Sequence, residues 1–99
     1  MTDESTLERT VGRGCRAERL LADELMIEAF ETLEQNYIST WRATTIDDVA
    51  AREKLFLAIN IVGKVRDHLG AAVANGKLAQ AELNELARTA ERRKRFGVL

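Results

Sequence analysis

The residues able to do chemistry are few and scattered. His68 is the single histidine and Cys15 the single cysteine. A metal ligand or general base needs companions within reach. The neighbour of His68 is Asp67, and adjacent residues on a helix diverge, so His68 reads as a residue at the solvent edge. Cys15 sits among Arg13, Arg16 and Arg19, which favour its thiolate. No histidine stands at a spacing that would complete a nucleophilic pair. Glu24, Glu28 and Glu31 share one helical face. Paired carboxylates can do acid–base work, or hold metal beside Glu-x-x-His motifs. The sequence has no such motif, so the face reads as solvated. The "GRG" of residues 12–14 lacks the strand and lysine of a phosphate-binding loop. An enzyme is therefore not expected, and neither is a metal or cofactor.

Charge offers more than reactivity does. Arg88, Arg92, Arg93, Lys94 and Arg95 bring five cations into eight positions, offset only by Glu91. Such a tail can neutralise phosphates of a nucleic acid. It can equally complement the dipole at a helix C-terminus, or pair with an acidic partner. No aromatic residue is interleaved with these cations, so stacking on single strands is not supported. Asp23, Glu24, Glu28, Glu31 and Glu34 form an opposite patch, with no Lys or Arg between Leu20 and Trp41. The total is near neutral at -1, which suits self-complementary packing better than attraction to a polyanion. Nucleic acid is thus a partner to consider but not the favoured one.

The elements that must carry these residues are helices. Ninety-nine residues without proline, rich in Ala, Leu, Glu and Arg, favour helix nearly everywhere and give no support for a sheet. One domain at most is expected. The lone cysteine allows no intramolecular disulfide and fits a reducing compartment. The start, "MTDESTLERT", lacks the apolar core of a signal peptide. The run "LFLAINIV" is too short to span a membrane, so no membrane partner is expected.

Along the chain, Ser5 and Glu8 have capping-box spacing, but Gly12 and Gly14 follow at a cost of about 1 kcal/mol each inside a helix. Residues 1–14 read as a flexible arm and 15–99 as a single helical domain. Met26, Phe30, Leu33, Tyr37 and Trp41 lie on one face of a helix over about 16–41. In "ATTIDD", Thr44 or Thr45 can cap the next helix, with Asp47 and Asp48 in its first turn. So short a corner makes antiparallel neighbours, with Trp41 at the tip. The second helix, about 46–75, carries Leu55, Ile59, Val62, Leu69 and Val73 on one side and Leu57, Ile61 and Val65 on another. Phe56, Gly63 and Gly70 form a seam where another backbone could approach. "NGK" should end this helix, with Gly76 in the left-handed position and Leu78 making the hydrophobic contact after it. A third helix follows over about 79–94, with a narrow stripe of Ala79, Leu83, Leu86, Ala87 and Ala90. The predicted fold is all-α: an antiparallel helical hairpin plus a shorter third helix. Ile27, Ile38, Leu57, Ile61 and Val65 are left over from the hairpin seam and form the candidate oligomer interface. Asn60 would set register if buried there, and otherwise faces outward.

Tyr37 and Trp41, the acidic cap, Arg52-Glu53, Arg66-x-His68-Leu69 and Gly76-Lys77 together resemble small helical proteins of tailed bacteriophages and prophages. The resemblance spans about residues 16–79. It implies a viral, non-enzymatic part in the bacterial host cytoplasm or virion, and carries no catalytic residues. In architecture alone it is similar in kind to the oligomerising core of small terminase subunits.

Three functions follow as expectations. The first is a phage structural, assembly or packaging-accessory protein acting as a helical homo-oligomer with other phage or host proteins. The second is an inhibitor that docks on a host defence protein through its acidic helix. The third is a nucleic-acid-binding accessory using the basic cluster.

Overall fold

The computed structural model describes residues 3–96. They form three α-helices: α1 Glu4–Ala22, α2 Glu24–Ala43 and α3 Val49–Arg95. No strand occurs among the described residues.

Each boundary has a local cause. Asp3 starts α1: its Oδ1 accepts the Thr6 N–H at 2.8 Å, the N-cap contact that satisfies a free donor of the first turn. Asp23 both ends α1 and starts α2. Its backbone N–H reaches Leu20 O at 3.3 Å, while its Oδ1 accepts the Met26 N–H at 3.0 Å. At the corner, Thr44 closes α2 by donating its hydroxyl to Trp41 O. Asp48 then accepts from both the N–H and the hydroxyl of Thr45, at 3.1 and 3.2 Å.

Several expectations change here. The helix predicted over 16–41 is two helices, because Asp23 interrupts the run with a cap. The predicted arm is helical from Glu4, and Leu7 within it is buried; residues 1 and 2 lie outside the described residues, as do 97–99. Thr45 is not the N-cap of α3. Asp48 is, without a side-chain cap bond of its own, and Thr45 with Asp48 makes only the half of a capping box that reaches back. "NGK" does not end a helix: α3 runs through it, so the segments predicted over 46–75 and 79–94 are one helix of 47 residues.

Gly76 explains that continuation. A Cβ built on Gly76 would lie 2.9 Å from Gly14 Cα and 3.3 Å from Thr10 O. A Cβ on Gly14 would lie 2.9 Å from both Ala72 O and Gly76 Cα. The glycines are placed where α1 crosses α3 backbone to backbone, not where a left-handed turn is needed. Leu78, expected to seal the helix end, is 70% exposed.

Both α1 and α2 lie against α3, and the contacts descend α3 as they ascend the first two helices. Gly14 meets Gly76, Glu34 meets Arg66, and Trp41 meets Arg52. The result is long and flat, 76 × 27 × 16 Å, with a radius of gyration of 21.5 Å. A compact chain of this length has about 13 Å. A thickness of 16 Å leaves no room for a third layer of helix, whose diameter is about 10 Å.

Candidate interaction surface

The face of α3 turned to its neighbours carries Leu55, Val62, Leu69 and Val73, all half-buried. Two arginines on the same side fasten α2. The Arg52 guanidinium lies 4.6 Å from the Trp41 ring centroid and donates to Thr44 Oγ1 at 2.9 Å. Arg66 lies 5.0 Å from the Phe30 ring centroid and 2.8 Å from Glu34. Each stacks on an aromatic ring and bonds an oxygen one turn along, a pairing to which a planar guanidinium is suited. Sequence reading did not give these arginines that role. The available signal was their fourteen-residue spacing, close to four turns of helix, opposite aromatics eleven apart.

The predicted interface residues fall into two groups. Ile27 lines a depression with Leu21, Phe30, Glu31, Glu34 and Arg66, and Ile38 is half-buried. Leu57, Ile61 and Val65 run along α3 at intervals of four, 58%, 59% and 48% exposed. At about 100° per residue, this stripe lies on the opposite edge of α3 from Arg66. The structure therefore does not join Ile27 and Ile38 to Leu57, Ile61 and Val65 in one patch.

A second apolar area lies near the corner. Ile46, Val49 and Phe56 are well exposed, and Trp41, Arg52, Glu53, Phe56 and Leu57 line an open depression of about 400 Å³. Small-molecule sites converge several polar groups on the ligand. Here Arg52 is already engaged with Trp41 and Thr44.

The candidate chemical residues stay apart. His68 is exposed, with Nε2 at 3.4 Å from Arg13 Nη2. Cys15 is free and exposed. It borders a groove with Val73, Lys77 and Gln80. Asn60 faces outward and donates to Phe56 O at 2.8 Å. Of the acidic patch, Asp23 caps α2 and Glu34 pairs with Arg66, which leaves Glu24, Glu28 and Glu31 exposed. No group of three or more His, Cys, Asp or Glu that could hold a metal occurs among the described residues. No helix there is long and apolar enough to cross a membrane.

Arg88, Arg92, Arg93, Lys94 and Arg95 are exposed on the last turns of α3. With Gly14 opposite Gly76, Glu4 is level with roughly Leu86, so about nine residues of α3 extend past the start of α1. Arg88 makes an exposed contact of 3.4 Å with Glu85 in the preceding turn. Arg88, Glu91, Arg92 and Arg95 border a shallow hollow on this overhang.

Comparison with protein-family models, with curated proteins and with solved structures gives no match.

Proposed function

We propose that this chain is a non-catalytic assembly protein that works as a helical homo-oligomer, as the resemblance to phage structural, assembly and packaging-accessory proteins implies. The observation that carries the reading is its surface. The accessible area is 7954 Å² for 11.1 kDa. A compact monomer of that mass exposes about 5,700 Å². The excess, about 2,300 Å², is larger than the roughly 800 Å² each partner contributes to a standard protein interface. Among the described residues no large side chain is fully buried. Large exposed apolar patches on a soluble chain mark contact sites.

Light scattering at micromolar concentration tests this. A mass above one chain is expected; a mass of 11.1 kDa across that range would overturn it.

The overhanging end of α3 favours a second reading, a nucleic-acid-binding accessory, because Arg92, Arg93, Lys94 and Arg95 stand clear of other helices. That reading requires DNA binding by the intact protein that falls steeply between roughly 50 and 200 mM salt. It also requires that removing the basic end abolish binding while leaving the oligomer unchanged. An inhibitor acting through the acidic helix has less support, since Asp23 and Glu34 are engaged within the chain.

A further inference from the structure

We propose that Leu57, Ile61 and Val65 form the centre of an antiparallel, two-fold contact between the α3 helices of two copies of this chain. The proposal rests on the reading of the protein as self-associating and names the surface that does it.

The stripe has the composition of an interface centre. Three large apolar side chains stand at i, i+4 and i+8, about half or more exposed, and Lys64 lies beside them, sharing a depression with Ile61, Val65, His68 and Leu69. Lys54 and His68 bound it at its two ends. The opposite edge of α3 carries Gly63, Arg66 and Gly70, and Arg66 is held by Glu34. Leu33 of α2 lies on the side of that helix turned away from Glu31 and Ile27. Glu31 shares the depression with Ile27 and Arg66, and helical rotation turns Leu33 to the other side of Glu34. Leu33 is 41% exposed.

The occupant is a second copy on grounds of shape, area and symmetry. One chain is two helices thick and has almost no interior. Two chains side by side give a four-helix cross-section, an arrangement in which helices share a common core. The excess surface is enough to supply both sides. The stripe is also symmetric about Ile61. In an isologous contact, Ile61 meets its own counterpart on the axis and Leu57 meets the partner's Val65. The antiparallel sense follows from charge. Parallel helices would bring two sets of Arg92, Arg93, Lys94 and Arg95 side by side, at the same dipole ends. Antiparallel helices carry them to opposite ends of the pair. In that arrangement the basic ends project past the partner's corner and do not lie on its acidic helix.

Two experiments decide it, both on the full chain. In solution, the mass of Ile61→Asp should fall from twice 11.1 kDa to that of one chain, with helical circular dichroism retained, because Ile61 touches little within its own chain. Leu25→Asp, at a 73% exposed position on the side of α2 turned away from α3, should leave the mass unchanged. In a Cys15→Ser background, mild oxidation should cross-link Ile61→Cys to itself, since residues on the axis come within disulfide reach. Leu57→Cys should not cross-link alone, but should do so when mixed with Val65→Cys. An oligomer that survives Ile61→Asp unchanged would overturn the proposal and leave the assembly reading intact. Cross-linking of Leu57→Cys to itself would overturn the antiparallel arrangement. A monomeric wild-type chain would overturn both the proposal and the reading beneath it.

Discussion

The two halves of α3 are packed in different ways. Where α1 crosses it, the contact is made by small residues: Gly14 and Ala17 on one side, Gly76 and Ala79 on the other, with Leu7 beside them, and all five are buried. Where α2 lies along it, the contact is made by large residues, Phe30, Tyr37 and Trp41, and α2 has no buried residue. Small residues let two backbones meet, so little water-accessible surface is left between them. Large side chains hold the helices apart, and their outer halves stay wet. The first half is closed within the chain. The second carries the exposed Leu57, Ile61 and Val65, and is where another molecule has something to add.

The largest effect should come from the closed half. Leu7 is 4% exposed. Leu7→Ala should destabilise by about 2–4 kcal/mol, as truncation of buried leucines does. Urea unfolding at fixed protein concentration measures it, since association makes apparent stability depend on concentration. The corresponding change Leu57→Ala, at a 58% exposed site, should cost much less in a monomeric background. Equal losses would erase the distinction between the halves.

Next in size is the glycine crossing. Gly14→Ala and Gly76→Ala each place a methyl within 2.9 Å of backbone atoms. Backbone cannot swing aside as a flexible side chain does. Each change should destabilise by about 1–3 kcal/mol, although alanine is the better helix former. A neutral result would mean that the two helices can separate at no cost.

The same crossing shows what the sequence could and could not tell. Helix type, the position of the corner and the aromatic face of α2 were legible, because Met26, Phe30, Tyr37 and Trp41 repeat at helical spacing and "ATTIDD" breaks the run. The role of the glycines was not. Local rules read Gly12 and Gly14 as disorder and Gly76 as a helix end. What decides is a residue more than sixty positions away, and no local pattern reports it. The hint was Gly14-x-x-Ala17 facing Gly76-x-x-Ala79. Close backbone approach was expected instead at Gly63 and Gly70, where nothing lies within 4 Å of an added Cβ. Asp23 was missed because the apolar period continues through it, and its cap bond to Met26 breaks the helix without breaking the stripe. For the candidate surface, Leu57, Ile61 and Val65 were legible as apolar residues left over from the seam. That Ile27 and Ile38 lie apart from them depends on how α2 rotates against α3, which Arg52 and Arg66 help to fix.

The open half should show a smaller loss when its fastenings are cut. Arg66→Met keeps the aliphatic stem over Phe30 but removes the bond to Glu34. The pair is 41% and 28% exposed, so solvent screens it, and the loss should be about 1 kcal/mol or less. Arg52→Met removes both the donation to Thr44 and the charge over the Trp41 ring, and should cost about 1 kcal/mol. Thermal melts in 0.1 and 1 M salt sharpen the comparison. The Arg66 effect should shrink at high salt, and the Leu7→Ala effect should not.

The smallest effect expected is a gain, at the glycines that the crossing does not use. Gly63 and Gly70 lie within α3 with open space where a Cβ would go. Nothing within the chain requires glycine there, and each carries the backbone-entropy cost of glycine in a helix. Gly63→Ala and Gly70→Ala should therefore each stabilise by about 0.5–1 kcal/mol. They lie on the edge of α3 opposite Leu57, Ile61 and Val65, so solution mass should not change. The combination of stability and mass makes the measurement informative. A gain in stability with unchanged mass leaves the Leu57–Val65 edge as the contact surface. A loss of mass in either variant would mean that another backbone approaches the glycine seam in the assembly. The open half would then use the same close-packing device as the closed half, with its second helix supplied by a partner.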